Sequence, residues 1–216
     1  MNDLASCFDH IYGNGLWGKK LYSGPGSWHA PLVEAYVDTT FNFLESEGLS
    51  GKCKAIDLGC GDFNIGSNIA RKCESIWGID ISAKIIDYCR HAHERNGITF
   101  SCEDARTFTP RPCDVVFIRQ VFQHLSNEDI QLILANISDS CRYIMVTEHL
   151  PWERFTANIN IASGTPHTRM VLGSGVDIMQ PPFEHSFTPF RETLNYYGFN
   201  GNIRTTVYRS QGSASN

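Results

Sequence analysis

The chain has 216 residues, of which 42% are hydrophobic and 19% charged, and its formal net charge is −5. That length suits one domain with a real hydrophobic core, and the balance excludes a disordered chain. An acidic chain without a Lys/Arg cluster also lacks the surface that grips polyanions, so no nucleic-acid partner is expected.

The opening Met1-Asn2-Asp3-Leu4-Ala5-Ser6 has neither a basic start nor an apolar run, so no signal peptide is expected. Nothing approaches the ~20 apolar residues of a membrane span, and no membrane partner follows. The cysteines, at 7, 53, 60, 73, 89, 102, 113 and 141, form no C-x-x-C pair, which argues against a zinc ribbon or a redox motif. Most read as small buried hydrophobes in a reducing compartment. Asn136-Ile137-Ser138 matches a glycosylation sequon by chance on this reading, and the expected address is cytoplasmic.

In chain order, residues 10–29 come first as a segment rich in Gly and aromatics, with Trp17, Ser23-Gly24-Pro25-Gly26-Ser27 and Trp28. Pro31 then opens a helix along which Val33, Val37, Phe41 and Leu44 stack until Gly48. From about residue 53, short apolar runs alternate with helical patterns, the mark of a parallel sheet wrapped by helices. The strands are Ala55–Leu58, Ile76–Ile79, Ile98–Phe100, Val115–Ile118 and Tyr143–Val146, β-branched runs that suit burial on both faces.

Ser82 caps a helix to about Arg95 with Ile85, Ile86 and Cys89 inward, stopped by Asn96-Gly97. Ser126 with Asp129 forms a capping arrangement for Ile130, Ile133, Leu134 and Ile137. Residues 150–190 are a long irregular stretch of the kind used for lids and binding loops. Arg191–Arg209 reads as a hairpin about Gly198-Phe199-Asn200-Gly201 at a sheet edge, with a helix over 190–197 as the disfavoured alternative. Gly212–Asn216 reads as a frayed end.

The chain is thus read as a single domain. A cover segment and helix occupy 1–50, a cofactor-binding core 51–150, a substrate-side insertion 151–190 and a C-terminal β-hairpin 191–210.

The informative stretch is Asp57-Leu58-Gly59-Cys60-Gly61-Asp62-Phe63-Asn64-Ile65-Gly66, where a strand ends, two glycines alternate and a helix begins. Such a turn lets a ligand approach bare backbone. A dinucleotide fingerprint needs a third glycine where Asn64 stands, and a carboxylate at Asp57 is poorly placed near a pyrophosphate. It suits an ammonium group, and S-adenosylmethionine presents an amino group, a carboxylate and a sulfonium without a phosphate. Asp80-Ile81 follows the second strand, 23 residues after Asp57, where an acid takes both ribose hydroxyls. Asp104-Ala105 follows the third, where an acid can accept from the adenine amino group and a backbone N–H can meet the ring.

Asp57-x-Gly59-x-Gly61, Asp80, Glu103-Asp104-Ala105 and Asp114-Val115-Val116-Phe117 together resemble the ordered motifs of class I S-adenosylmethionine-dependent methyltransferases over roughly residues 53–150. The resemblance implies an α/β, Rossmann-like, seven-stranded and mostly parallel sheet with helices on both faces, the final strand being inserted antiparallel. It implies cofactor at the strands' C-terminal ends, held by Asp57, Gly59, Cys60, Gly61, Asp80, Ile81, Asp104 and Ala105, with S-adenosylhomocysteine as product. Trp17, Ser23–Ser27 and Arg119–Leu125 resemble, more loosely, a bacterial subgroup of small methyltransferases often found among polysaccharide or natural-product genes.

Methyl transfer from a sulfonium is an in-line displacement that depends heavily on alignment and desolvation. Arg119 and Gln120 follow the fourth strand and should border the cofactor's methionine end; Arg119 either reaches a carboxylate or makes a surface ion pair. His124 is the candidate catalytic base, with a structural tie as its alternative. Glu148-His149 is the competing acid/base pair. His91 and His93 point to different helix faces and share no metal site, so no metal is expected. His167 and Arg169 read as a solvated loop, or as contacts for an anionic acceptor. Gln180-Pro181-Pro182-Phe183 resembles an amino-methyltransferase box but stands far from the fourth strand, and reads as a rigid turn.

The expected function is methyl transfer to an O or N atom of a small-molecule acceptor such as a sugar or natural-product intermediate. The alternative is a cofactor-binding regulator or complex partner without transferase activity. A nicotinamide oxidoreductase fails at Asn64 and Asp57. The acceptor and the oligomeric state are not written in the sequence.

Overall fold

A computed structural model describes residues 3–211, so the frayed end expected over 212–216 lies outside the described residues. The strands are β1 (Cys53–Leu58), β2 (Cys73–Asp80), β3 (Ile98–Cys102), β4 (Cys113–Arg119), β5 (Cys141–Leu150), β6 (Phe187–Gly198) and β7 (Gly201–Ser210). They form one seven-stranded sheet in the order β3-β2-β1-β4-β5-β7-β6. β2 pairs parallel with β1 and with β3, while β7 lies antiparallel between β5 and β6. This is the Rossmann-like sheet with an antiparallel C-terminal hairpin that the sequence implies.

The described residues divide into two compact units. One runs to Ala105 and takes in Cys113–Val116; the other comprises Arg106–Pro112 and the described chain from Phe117 onward.

In the first unit, helix α1 (Leu4–Asn14) appears where the sequence shows only a Gly- and aromatic-rich segment. Asp3 caps it by accepting the Ala5 N–H, and left-handed Gly15 ends it. Helix α2 (Ala30–Ser46) starts around Pro31 as expected, but its inward face is Leu32, Tyr36, Val37, Thr40, Phe43 and Leu44. Val33 and Phe41, expected in the stripe, are only half-buried, and the Phe41 ring lies under the cations of Arg71 and Lys72. Helix α3 (Asn64–Ile69) follows the glycine turn. Helix α4 (Ala83–His93) is capped by Ser82 and buries Ile85, Ile86 and Cys89. It ends two residues before the expected Arg95, and Gly97, at φ +82°, makes the turn into β3.

In the second unit, helix α5 (Asn127–Ile137) buries Ile130, Ile133, Leu134 and Ile137 as expected. Ser126 Oγ accepts the Asp129 N–H at 3.2 Å. The return bond of a capping box is relayed: Ser126 N–H donates to Ser163 Oγ at 2.7 Å, and that hydroxyl donates to the Asp129 carboxylate. The β6–β7 turn, Phe199-Asn200, has both residues left-handed at φ 54° and 58°, the twist a two-residue hairpin needs. β6 begins at Phe187, earlier than expected, and its register shifts beside Pro189, which an edge strand tolerates.

The long 151–190 segment has one short 3-10 turn, Arg169–Leu172, yet it is folded on itself. Asn158, buried, donates to the carbonyls of Asp177, Gln180 and Pro181 and accepts the Asp177 N–H. Of the eight cysteines, all free thiols, Cys53, Cys60, Cys89 and Cys141 are buried and Cys102 is exposed, so burial is less general than expected. Among the described residues, no helix is long and apolar enough to cross a membrane.

Candidate active site

The first unit carries the glycine turn. After β1, Gly59 and Cys60 both donate their N–H groups to the Ile79 carbonyl, at 2.8 and 3.0 Å, which pins the turn to β2. Gly59 and Gly61 have φ of 71° and 54°, values that side-chain-bearing residues adopt at a cost. A Cβ at Gly61 would collide with the Ser23 hydroxyl.

Asp80, at the end of β2, accepts the Gly61 N–H on Oδ2 at 3.1 Å and the Ser82 N–H on Oδ1 at 3.0 Å. Burial pushes its carboxyl up to about 6, opposed by the N–H groups of Ser82, Gly61 and Ile81 and by the Tyr12 hydroxyl. Tyr12 in turn is pushed well up, by burial first and then by the charge of Asp80. Asp57 is also buried, its Oδ2 lying 2.5 Å from where a Cβ on Gly66 would stand, so α3 starts flush against that carboxylate. Cys60 packs with Cys89, whose thiol donates to the Gly61 carbonyl at 3.1 Å.

The end of β3 joins this cluster. Glu103 N–H donates to the Asp80 carbonyl at 3.0 Å and the Cys102 thiol to the Ile81 carbonyl at 3.5 Å, with Asp104 and Ala105 half-buried just beyond. Asp57, Gly59, Cys60, Gly61, Asp80 and Ile81 are therefore brought together, with the 103–105 segment beside them. Two buried carboxylates beside bare backbone suit a ligand that presents hydroxyls and an ammonium group. A pyrophosphate would meet their charge.

The sequence reading missed Asp62. Its carboxylate accepts the Ser23 N–H at 2.9 Å, the Trp28 indole N–H at 2.7 Å and the Asn64 N–H at 3.2 Å, while Asp62 N–H donates to Ser23 Oγ at 2.7 Å. Asn64, which breaks the dinucleotide pattern, donates its amide to the Ser27 carbonyl at 2.7 Å. The Ser23–Trp28 segment is thereby tied onto the turn. Only its run of small and aromatic residues hinted at this.

The second unit holds the acceptor-side expectations. Arg119 ends β4, and Gln120 follows with φ 57°, a left-handed non-glycine held by its N–H on the Thr147 carbonyl at 2.7 Å. The Phe122–His124 turn rests on Glu148, whose two oxygens accept the N–H groups of Phe122 at 3.0 Å and Gln123 at 3.1 Å. Burial pushes the Glu148 carboxyl up to about 8, against the pull of Arg169 and these N–H groups. Glu148 and His149 are successive residues of a strand and point to opposite faces, so they form no acid/base pair.

Arg169 is neither solvated nor turned toward an anion, contrary to both expectations. It is fully buried, donating to the carbonyls of Phe122 at 2.7 Å, Leu125 at 2.7 Å and Ile159 at 3.0 Å, and to Asn127 Oδ1 at 2.8 Å. His124 is buried with Nδ1 3.2 Å from the carbonyls of both Thr165 and His167, and Nε2 3.3 Å from the Gln123 amide nitrogen. Burial pushes its pKa down to about 4.

Residues 55–143 match the family model described as a methyltransferase domain. No curated protein matches the chain. Among solved structures, magnesium protoporphyrin IX methyltransferase from Synechocystis PCC 6803 with bound SAM is similar at a TM-score of 0.65 and 16% identity, covering 98% of this chain and 99% of its own. The N-methyltransferase NodS from Bradyrhizobium japonicum WM9, in complex with S-adenosyl-L-homocysteine, is similar at 0.66 and 13%, covering 97% and 100%. A SAM-dependent methyltransferase from Leishmania major is similar at 0.65 and 13%, covering 97% and 87%. These likenesses are of fold.

Proposed function

We propose, from the premise that residues 55–143 match a methyltransferase domain, that the chain is an S-adenosylmethionine-dependent enzyme of class I that transfers a methyl group to an O or N atom of a small-molecule acceptor. The observation that carries this reading is the buried Asp80 carboxylate on the Gly59–Gly61 turn, joined to it by the Gly61 N–H. Magnesium protoporphyrin IX, the substrate named for one similar structure, is a small molecule of the kind envisaged.

Within this reading Asp80 accepts from the ribose hydroxyls, and the backbone of Gly59, Cys60, Gly61 and Ile81 lies along the cofactor. Asp57 answers the ammonium group. Asp104 accepts from the adenine amino group while the Ala105 N–H meets the ring, and Arg119 and Gln120 border the methionine end. The cofactor supplies a methyl group already activated on a sulfonium sulfur. The protein's part is then to orient the acceptor and exclude water.

His124 is assigned to positioning rather than to proton removal. Its Nδ1–H is committed to loop carbonyls, the Gln123 amide occupies Nε2, and a pKa near 4 makes it a weak base at neutral pH. A nucleic-acid partner is not part of the reading, since the chain carries net negative charge, and its proposed setting is cytoplasmic.

Calorimetry with S-adenosylmethionine, S-adenosylhomocysteine and NADH tests the proposal. Binding of both sulfur compounds and not NADH is expected, and binding of NADH alone overturns it.

A further inference from the structure

The chain holds no C-x-x-C pair, but the sheet builds a cysteine pair from residues distant in sequence. In the first unit, Cys53 opens β1 and Cys73 opens β2, and the two stand directly opposite one another in the parallel register. The next pair is Lys54 with Ser75, so β2 bulges at Glu74. Just before the cysteines, Gly51 N–H donates to the Lys72 carbonyl at 2.7 Å, which holds the two strand starts side by side. Neighbouring strands lie about 4.7–4.9 Å apart, inside the ~4.4–6.8 Å between Cα atoms that a disulfide spans.

The thiols face each other. Cys53 hydrogen-bonds to Cys73, and Cys73 donates in turn to the Ile69 carbonyl at 3.6 Å. The contact with Cys73, and after it burial, pushes the Cys53 thiol up. Cys53 is fully buried, whereas Cys73 is only half-buried. The pair thus has an inner thiol closed to solvent and an outer one that solvent reaches. A second touching pair, Cys60 and Cys89, is buried on both sides.

We infer that Cys53 and Cys73 form a reversible thiol–disulfide centre, oxidised by a low-molecular-weight disulfide of the glutathione type. Cys73, as the thiolate, attacks one sulfur of the oxidant and expels one glutathione thiolate, which takes up the Cys73 proton. Cys53 then attacks the Cys73 sulfur, and its proton leaves with the second glutathione. Two protein thiols are oxidised to one disulfide, and glutathione disulfide is reduced to two glutathiones. The new bond closes a ring over residues 53–73 that contains Gly59, Gly61 and α3. In the proposed cytoplasmic setting such a bond belongs to the transient, redox-responsive kind. The centre stands apart from the methyltransferase reading and does not depend on cofactor binding.

The test treats the folded full chain with glutathione disulfide, stops exchange with acid and blocks remaining thiols with N-ethylmaleimide. Tryptic peptides are then mapped by mass spectrometry. The expected product joins Cys53–Lys54 to Cys73–Lys84, and dithiothreitol restores both thiols. In Cys53→Ala the resolving thiol is gone, so a glutathione adduct should accumulate on Cys73 at least five-fold above its level in the unmodified chain. In Cys73→Ser, Cys53 should stay unmodified. The Cys60–Cys89 pair should stay reduced throughout, which verifies that oxidation takes place in the folded chain. Glutathione adducts without the Cys53–Cys73 link, a Cys53–Cys113 link in its place, or equal oxidation of Cys60–Cys89 overturns the proposal. Cys73 is half-buried, so its serine variant decides the matter if Cys53→Ala loses the fold.

Discussion

The indole N–H of Trp28 donates to Asp62 Oδ2 at 2.7 Å, on the same oxygen that accepts the Ser23 N–H. Thirty-four positions apart in the chain, these two residues close the N-terminal segment over the glycine turn. Trp28→Phe keeps the ring and removes the donor. A hydrogen bond to a charged acceptor contributes about 1.5–3 kcal/mol, and the half-exposed indole places this one at the low end. The expected loss is about 1.5 kcal/mol in urea unfolding, with roughly five-fold weaker binding of S-adenosylhomocysteine by calorimetry. Unchanged affinity would show that the segment does not shape the cofactor turn.

Asp80→Asn should weaken S-adenosylhomocysteine at least ten-fold at pH 7, because the amide answers ribose hydroxyls with one acceptor fewer. In the unmodified chain Asp80 takes up a proton near pH 6. Affinity should therefore be level above that value and fall by up to about ten-fold per unit below it. The variant should show a flat profile over pH 5–8. A falling profile that persists in Asp80→Asn would assign the titration to another group.

His124 stays neutral in the fold down to about pH 4, whereas an unfolded histidine takes up its proton near 6.5. The unfolded chain thus binds one proton more between these values. Stability contributed by the neutral ring is present above pH 6.5 and lost as the pH falls toward 4, by on the order of 3 kcal/mol. The buried Glu148 and Asp80 carboxyls, raised to about 8 and about 6, act in the opposite direction over this range, so the His124 contribution is read as a difference: between pH 7 and pH 4.5 the change in unfolding free energy should shift in favour of the fold by most of that amount in His124→Gln. The same change in both proteins would remove His124 as its source.

Arg169→Met should be the most damaging of these changes. It removes the guanidinium donors to the carbonyls of Phe122, Leu125 and Ile159, leaving Phe122 only the Leu125 N–H, and it takes away the opposite charge that restrains Glu148. Orphaned buried groups of this kind cost about 3–5 kcal/mol in total. The urea midpoint measures it. A midpoint near that of the unmodified chain would mean the 159–172 segment holds without its guanidinium.

The Ala55–Leu58, Ile76–Ile79 and Val115–Ile118 runs were legible because a strand buried on both faces must be apolar throughout, and the hairpin turn was legible because Asn200 and the flanking Gly198 and Gly201 are turn-forming residues, although Phe199 takes a left-handed φ that its side chain disfavours. Helix α1 was not, since its only buried residues, Ile11 and Tyr12, are too few to set a period in a Gly- and aromatic-rich segment. The inward face of α2 was misjudged for a related reason: Phe41 is apolar enough for the core, yet it serves as cover for Arg71 and Lys72.

By itself the sequence determined the glycine turn and the sheet. Glycines at 59 and 61, acids at 57, 80 and 104 and alternating apolar runs are local patterns, written in neighbouring residues and readable there. Only the tertiary structure decided what Asp62, His124, Glu148 and Arg169 do. Each of these polar groups is buried through contacts with residues distant in the chain, and what a buried charge or ring nitrogen does depends on the partners folding brings to it. The Asp57–Gly61 turn could be read from five residues; the knot of Arg169 and Glu148 beneath the Phe122–His124 loop exists only once three separate segments meet.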